Sequence, residues 1–248
     1  MVTSVCEVDW PAPANVRAVY STRIGGVSSE PWLSFNLGNH VGDNEADVAE
    51  NRRRFVADAF MPSAPQWLTQ VHGTRILAVD SLSSDVPEAD GAITTKQSTP
   101  LVIMTADCLP ILLCNRQGTW ISAVHAGWRG LADGIVENAV AGYRGNACDL
   151  MAWLGPCIGP YAFEVGAEVR KKFVSQREAS AACFTASKTQ PNKFYANLPL
   201  LATQRLQSLG IVDIADSGLC TYSQESVFFS HRRDGNTGRM AAAIWMTN

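Results

Sequence analysis

The chain of 248 residues lacks the short motifs by which many enzymes are recognised. It has neither a G-x-x-x-x-G-K-[ST] phosphate loop nor a G-x-G-x-x-G dinucleotide fingerprint, which argues against ATP and NAD as cofactors. It also has no C-x-x-C and no H-E-x-x-H, two common signatures of zinc sites. A metal site in this chain would therefore have to be assembled from residues that lie far apart in the sequence.

The sequence also lacks an uninterrupted apolar run of about 18 residues, the length that a transmembrane helix needs. Its first residues have neither the basic start nor the apolar core of a signal peptide. The net charge of −3 does not suit a general nucleic-acid binder. Seven irregularly spaced cysteines are best interpreted as reduced thiols. We expect a cytoplasmic protein with a small-molecule substrate and no nucleic-acid or membrane partner; the sequence does not predict its oligomeric state.

What the chain has is 46% hydrophobic residues, enough for a sizeable core, and no repeat or long linker. We therefore predict one domain over residues 1–248. Apolar strand-like runs and amphipathic helical segments alternate without a regular βαβ period, which favours mixed α+β layers over a doubly wound parallel sheet. The predicted helices are 43–60, 131–143, 167–176 and 198–209, and the predicted strands are 16–22, 76–82, 89–95, 100–106, 110–115, 118–126, 149–156, 212–216, 227–232 and 239–246.

Two expectations are more specific. In the first helix, capped by Asp43 or Asn44, the inner face should include Phe55 and Phe60. Pro110 should interrupt the apolar run "TADCLPILLC" and start a new strand.

Three residues stand at boundaries between an apolar segment and a turn marked by Gly or Pro. They are His72 in "QVHGT", Cys108 in "ADCLP" and His125 in "HAGWRG". Side chains at strand ends can converge from distant parts of a chain. One thiolate and two imidazoles form a ligand set suited to Zn²⁺, and three protein ligands leave a fourth position free, as in catalytic zinc sites.

The spacing of these residues leaves two other interpretations open. The histidines could be hydrogen-bonded within the fold and the thiol simply buried. Alternatively, Cys108 could be a nucleophile activated by His72 or His125, with Asp107 as the orienting group. Adjacent residues in an extended segment point to opposite sides, which argues against a direct Asp107–Cys108 partnership.

Polar segments supply candidates for substrate contacts. Arg23 stands in "STRIGGVS" and Asn36 in "NLGNHVGD". The segment "SHRRDGNTGR" is predicted to be a solvated hairpin loop with an Asp-Gly turn. The alternative is an anion clamp, because the planar donor fork of arginine suits phosphate and carboxylate.

These motifs together resemble the YfiH-like family. The resemblance is carried by "STRIGGVS", "NLGNHVGD", "QVHGT", "ADGAIT", "TADCLPILL", "AVHAGWRGL", "GPCIGPYAFEVG" and "HRRDGNTGRMAA", and it covers about residues 22–243. It implies a single domain of layered α/β/β/α architecture with mixed sheets, of a type described as a cysteine hydrolase fold. It also implies that His72, Cys108 and His125 bind a metal, usually zinc, and carry the catalysis.

The family is variously described as a purine nucleoside phosphorylase, a peptidoglycan editing factor and a polyphenol oxidase or laccase domain. The resemblance therefore implies phosphorolysis of adenosine, inosine and methylthioadenosine together with adenosine deamination. The alternative is an amidase that removes misincorporated L-serine from peptidoglycan precursors. A copper-dependent polyphenol oxidase is disfavoured, because the chain has only four histidines and no two of them are close in sequence. One copper ion could still compete for the same ligands.

Phosphorolysis needs an anion pocket, because phosphate is the attacking nucleophile. Arg23 is the first candidate, with Arg129 or Arg239 beside it, although Arg129 could equally make a structural contact. Asn36 could hydrogen-bond the sugar or base of a nucleoside, or form a turn. We expect a zinc-dependent enzyme that acts on a purine nucleoside and phosphate.

Overall fold

A computed structural model describes residues 3–247 of the chain. The helices are α1 (Glu45–Asp58), α2 (Trp128–Asp133), α3 (Ile135–Ala141), α4 (Ala167–Gln176), α5 (Leu198–Ser208) and α6 (His231–Asp234). The strands are β1 (Val5–Glu7), β2 (Val16–Ser21), β3 (Ile76–Ala78), β4 (Gly91–Thr94), β5 (Leu101–Thr105), β6 (Leu109–Asn115), β7 (Ile121–Ala126), β8 (Leu150–Leu154), β9 (Glu164–Gly166), β10 (Phe184–Ala186), β11 (Lys193–Ala196), β12 (Asp213–Asp216) and β13 (Met240–Met246).

Two larger sheets form the centre of the molecule. One is antiparallel, with strand order β1-β2-β13-β5. The other has the order β12-β8-β6-β7-β4-β3 and is mixed, because β12 runs parallel to β8 and β3 runs parallel to β4. A small antiparallel sheet, β10-β11-β9, is hydrogen-bonded to neither, and its Val165, Phe184 and Ala196 pack in the same apolar cluster as the six-stranded sheet.

The buried apolar side chains separate into layers that follow from this arrangement. One cluster joins the facing sides of the two larger sheets, with Ile103 and Ile244 from one sheet and Leu112 and Ala123 from the other. A second cluster lies between α1 and the outer side of the four-stranded sheet. A third packs α2 to α5 on the outer side of the six-stranded sheet. The predicted α/β/β/α layering is therefore confirmed.

The predicted break in the apolar run is confirmed, because β5 ends at Thr105 and a new strand, β6, begins at Leu109, one residue before Pro110. Pro110 pairs with His125 of β7, whereas the ladder to β8 begins only at Ile111. The backbone N–H of His125 points away from β6 and donates to the carbonyl oxygen of Asp90. Pro110 and His125 therefore form a pair without mutual hydrogen bonds. A missing N–H at Pro110 therefore leaves no gap in the ladder.

The structure corrects two helix predictions. Asn44 caps α1 as expected, but the helix ends at Asp58, and Phe60 beyond it has φ 51° and is 90% exposed. The predicted helix 131–143 is two helices, because Gly134 with φ 99° interrupts it. Glycine adopts this left-handed conformation without a steric penalty.

The predicted strand 227–232 is not formed. Phe228 and Phe229 are almost fully buried without belonging to a strand, and the chain then enters the short helix α6. Ser230 caps that helix by accepting a hydrogen bond from the N–H of Arg233. The apolar run is therefore buried beside the four-stranded sheet but forms no strand of that sheet.

Candidate metal centre and its cavity

The fold brings together the three residues that the sequence predicted as metal ligands. His72 lies in the loop before β3, Cys108 lies in the turn between β5 and β6, and His125 is near the end of β7. Because β6 and β7 are antiparallel and Pro110 pairs with His125, the Cys108 turn lies beside His125. The ligand atoms of the three side chains all lie within 4.8 Å of one another.

The geometry of this trio fits a single ion. The Cys108 sulfur is 3.7 Å from Nε2 of His72, and the two imidazole centroids are 4.8 Å apart at an interplanar angle of 74°. A Cβ atom at Gly127 would lie 3.1 Å from the Cys108 sulfur and 3.0 Å from Cδ2 of His72. The absence of a side chain at Gly127 therefore leaves the space that the Cys108 and His72 side chains occupy. The donor set, one sulfur and two imidazole nitrogens, is one that zinc and copper both favour.

Asp90, which the residue-by-residue reasoning missed, orients the trio. Its carboxylate is fully buried and lies 2.9 Å from Nδ1 of His125. It also accepts hydrogen bonds from the backbone N–H groups of Val71, His72 and Gly73 at 3.2, 2.8 and 2.7 Å. With Nδ1 of His125 bonded to Asp90, Nε2 faces the sulfur, as in the carboxylate–histidine pairs of metal sites.

Asp90 is an anion at neutral pH. Burial opposes its ionisation, but the hydrogen bonds from His125 and from the backbone of Gly73 hold the pKa of Asp90 below its usual value. Its position between Ala89 and Gly91, at the start of a buried strand, is a sequence signal that could have identified it.

Electrostatics favour the ionised thiol of Cys108. Burial works against the thiolate, but the charge and hydrogen bond of His125, followed by those of His72, lower the pKa of Cys108 to about 6. Burial likewise favours the neutral ring of His125, but Cys108 and Asp90 raise its pKa to about 9. A thiolate is the form of cysteine that binds metals and also the form that attacks electrophiles.

Asp107 does not orient the Cys108 thiol. Its carboxylate accepts hydrogen bonds from the hydroxyl of Thr221 at 2.6 Å and from the backbone N–H of Arg232 at 2.7 Å. Its carbonyl oxygen accepts one from Ile158. Asp107, with φ 86°, thus connects the turn that carries Cys108 to two neighbouring loops and to α6.

The trio faces a cavity of about 460 Å³. His72 is exposed to it, whereas His125 is only 3% exposed. The other basic residues that line the cavity are His40, Arg129, His231, Arg232 and Arg239, and the apolar ones include Met104, Trp128, Ile158, Phe163 and Leu198. Cavities of this size hold small organic molecules.

The segment "SHRRDGNTGR" is not the solvated hairpin loop that the sequence predicted. It forms α6 and the approach to β13, and His231, Arg232 and Arg239 line the cavity. Arg233 instead supports the segment, because its guanidinium donates to the carbonyl oxygens of Thr221, Tyr222 and Phe228.

Arg23 lies outside this cavity. Its guanidinium is 4.8 Å from the centre of the Phe229 ring and donates to the carbonyl oxygens of Leu33 and Glu225. It lines a separate open groove. The structure thus does not bring Arg23 to the trio.

Asn36 is fully buried, and its side-chain amide makes four hydrogen bonds within the protein. The amide nitrogen donates to the Gly38 carbonyl and to Asp43, and the oxygen accepts from the N–H groups of Gly38 and Arg239. No group is left for a substrate, so Asn36 has a structural role, which corrects its assignment as a substrate contact.

Comparisons with known proteins agree with the motifs. The model of a family described as multi-copper polyphenol oxidoreductase laccase matches residues 17–247. The chain belongs to this family. It is 47% identical over 237 residues to the purine nucleoside phosphorylase YfiH of Shigella flexneri, with 96% of each chain covered. It is 44% identical to the purine nucleoside phosphorylase of Haemophilus influenzae, with 96% of this chain and 97% of the relative covered.

Solved structures show the same fold. Neisseria meningitidis protein NMB0706 superposes with a TM-score of 0.95 at 39% identity, over 99% of this chain and 100% of that one. YlmD from Geobacillus stearothermophilus gives 0.88 at 32% identity, over 96% and 94%. The predicted resemblance to the YfiH-like family is confirmed. Within residues 3–247, no helix has the length and apolar character needed to cross a bilayer.

Proposed function

We propose that this protein is a zinc-dependent purine nucleoside phosphorylase. The observation that carries the proposal is the cavity. It is lined both by the trio of Cys108, His72 and His125 and by several basic side chains. Its relatives that are named purine nucleoside phosphorylase are similar over nearly their whole length. A phosphorolytic site needs room for a nucleoside and positive charge for phosphate, and this cavity offers both.

His72, Cys108 and His125 would hold the metal, with Asp90 fixing the orientation of His125. When bound, zinc supplies Lewis acidity toward an oxygen of a reactant. Among residues 3–247, this trio is the single His/Cys/Asp/Glu group compact enough to hold an ion. Several copper ions would need further clusters, so the multi-copper description of the family does not suit this chain's own residues.

The reaction breaks the bond between C1′ of the ribose and N9 of the purine, and an oxygen of phosphate forms the new bond to C1′. The purine leaves with the electron pair and takes up a proton, so ribose 1-phosphate and the free base result. Trp128 and Phe163 line the cavity, and the guanidinium groups of Arg129 and Arg232 lie 4.6 and 5.5 Å from the centres of their rings. Arg129 and Arg232 supply donors at the rim.

Adenosine deamination and removal of L-serine from peptidoglycan precursors remain proposals for the same site. Both are hydrolytic, so water takes the place of phosphate as nucleophile. The basic side chains that line the cavity supply the positive charge that phosphate needs as a second substrate, whereas deamination of the neutral adenosine by water has no such need.

The test is incubation of the purified protein with inosine, with and without inorganic phosphate. We expect hypoxanthine and ribose 1-phosphate only when phosphate is present. Equal hypoxanthine release without phosphate would contradict the proposal. Parallel incubations with adenosine and with a serine-containing cell-wall nucleotide precursor report on deamination and on amide hydrolysis.

We also propose that residues 1–248 act as one catalytic domain in the cytoplasm. The residues that line the cavity come from almost the whole length of the chain, from His40 to Arg239. All seven cysteines are unpaired, which suits a reducing compartment.

A further inference from the structure

Two arginines on one side of the cavity are partly buried and lack a carboxylate partner. Arg239 lines the cavity, and Nη2 of Arg52 lies 3.7 Å from the sulfur of Met104, which also lines it. Both arginines are only partly exposed. Neither forms an ion pair with a carboxylate of the described residues. Arg129 and Arg232 are exposed, so water solvates their charges. A desolvated and unpaired charge is costly, which makes the Arg239 side the part of the cavity that most favours an anion.

The position of Arg239 is fixed by the segment that carries His40. The side-chain oxygen of Asn36 accepts hydrogen bonds from the N–H groups of Arg239 and Gly38, both at 2.9 Å. A Cβ atom at Gly38 would lie 2.7 Å from Cγ of Arg239, so glycine here lets the arginine side chain pass close to the backbone. Asn36 and Gly38 therefore place Arg239 next to the loop that ends in His40.

Arg239 keeps donors available. Its Nη1 donates to the carbonyl oxygens of Thr237 and Gly238 at 2.9 and 3.0 Å. Within the described part of the chain, Nε and Nη2 have no hydrogen-bond acceptor. Two N–H groups of one guanidinium are the donor pair that binds two oxygens of an oxyanion.

Arg52 adds a fixed charge near His40. Its Nε donates to the carbonyl oxygen of Leu37, and its guanidinium lies 3.8 Å from the centre of the Trp67 ring. Burial lowers the pKa of Arg52 to about 10, which still leaves it charged at neutral pH. Burial, followed by the charges of Arg239 and Arg52, lowers the pKa of His40. His40 therefore faces an excess of positive charge.

The nearby carboxylates are already engaged. Asp43 accepts hydrogen bonds from Ser28 and Asn36. Asp107 accepts them from Thr221 and from the N–H of Arg232. Neither forms an ion pair with Arg239 or Arg52. Burial lowers the pKa of Arg239, and the more distant charges of Cys108 and Asp107 only partly oppose this effect.

We propose that Arg239 and His40, with the charge of Arg52 nearby, form the subsite that binds inorganic phosphate. This inference rests on the proposed phosphorolysis, for which it names the site of the second substrate. It also explains the motifs "NLGNHVGD" and "TGRM" together, because the first holds the arginine of the second.

The direct test is calorimetric titration of inorganic phosphate into the full-length, zinc-loaded protein. Because zinc also attracts phosphate, all variants must have the same zinc content. We expect Arg239→Gln to weaken phosphate binding by about 10- to 100-fold, since a charged donor pair is lost. The phosphate affinity of Arg239→Lys should lie between those of the wild type and Arg239→Gln, because lysine carries the charge without the paired N–H donors of arginine. His40→Ala, at an exposed position, should weaken binding about threefold to tenfold.

The matched control is Arg53→Gln, which changes an exposed arginine on α1 and should leave phosphate binding unchanged. The inference is overturned if Arg239→Gln binds phosphate as tightly as the wild type, or if the wild type does not bind it. Both outcomes are measured by calorimetry, so they do not require the protein to be catalytically active.

Kinetics separate this inference from the proposed function. Arg239→Gln should raise KM for phosphate by the same factor and leave KM for inosine unchanged. A higher KM for inosine alone would mean that Arg239 contacts the nucleoside, and the subsite would be wrong. If the wild type releases no hypoxanthine in a phosphate-dependent manner, the proposed function fails, while the calorimetric result still decides whether the subsite exists.

Discussion

The two sides of the cavity are built in different ways. On the metal side, Asp90 binds three backbone N–H groups and one imidazole, so a single carboxylate fixes both histidines of the trio. On the basic side, Asn36 fixes the backbone of Arg239, but the guanidinium keeps free donors. The difference suggests that the first side is preorganised for an ion, while the second retains donors for a ligand that comes and goes.

The largest effect should follow removal of the sulfur ligand. We predict that Cys108→Ala lowers zinc affinity by more than about 100-fold, beyond the loss expected for an outer partner of a ligand. Phosphorolysis should fall with zinc content, and both are measured on the same purified sample, by elemental analysis and hypoxanthine release. Full activity in a metal-free Cys108→Ala protein would contradict the metal site. Activity of a metal-free wild type that depends on the intact thiol would favour covalent catalysis instead.

The next effect tests whether Asp90 organises the metal side. Asp90→Asn places an NH₂ group against donors that now face carboxylate oxygens, so it should misorient His125 and the His72 loop. We predict a loss of zinc affinity of about 10- to 100-fold, measured by competition with a chelator. Asp80→Asn, at an exposed position, is the control and should bind zinc normally. Unchanged zinc affinity in Asp90→Asn would remove Asp90 from the account.

A smaller effect should come from crowding the trio. Gly127→Ala adds a methyl group 3.1 Å from the Cys108 sulfur, and the ligands must shift slightly to accept it. We predict a loss of zinc affinity of about tenfold, near the lower end of the range for indirect changes. Zinc binding equal to that of the wild type would indicate that the trio is less tightly confined than the structure implies.

The last prediction concerns the basic side alone. Asn36→Ala leaves buried partners unsatisfied, so the free energy of unfolding should fall by about 1–3 kcal/mol, measured by urea denaturation. Phosphate binding should weaken because Arg239 loses its anchor, whereas zinc content should stay unchanged. If stability is unaffected and KM for the nucleoside rises, Asn36 would be a substrate contact after all.

The trio could be predicted from the sequence because cysteine and histidine are the residue types that most often bind zinc. Cysteine and histidine at the ends of apolar segments are few in this chain, and strand ends are places where distant residues meet. Apolar strands such as β5 and β6 must be covered on both faces, so mixed layers of helices and strands were also predicted, whereas the α/β/β/α order came from the resemblance to the YfiH-like family.

The rest depended on contacts between residues far apart in the sequence. Nothing near Asn36 reveals that its side chain bonds to Arg239, 203 positions away. The burial of Phe228 and Phe229 resembled a strand because an apolar run has the same pattern whether or not it joins a ladder. Asp90 stands near the start of the predicted strand 89–95, which marks it as a candidate, but its contact with His125 depends on the pairing of β4 with β7.

X-ray absorption at the zinc edge of the purified protein tests the metal centre most directly. We predict one sulfur neighbour at about 2.3 Å and two nitrogen neighbours at about 2.0–2.1 Å, with one light atom completing the coordination. A spectrum without a sulfur neighbour, or one in which the sulfur signal persists in Cys108→Ala, would contradict a metal held by His72, Cys108 and His125.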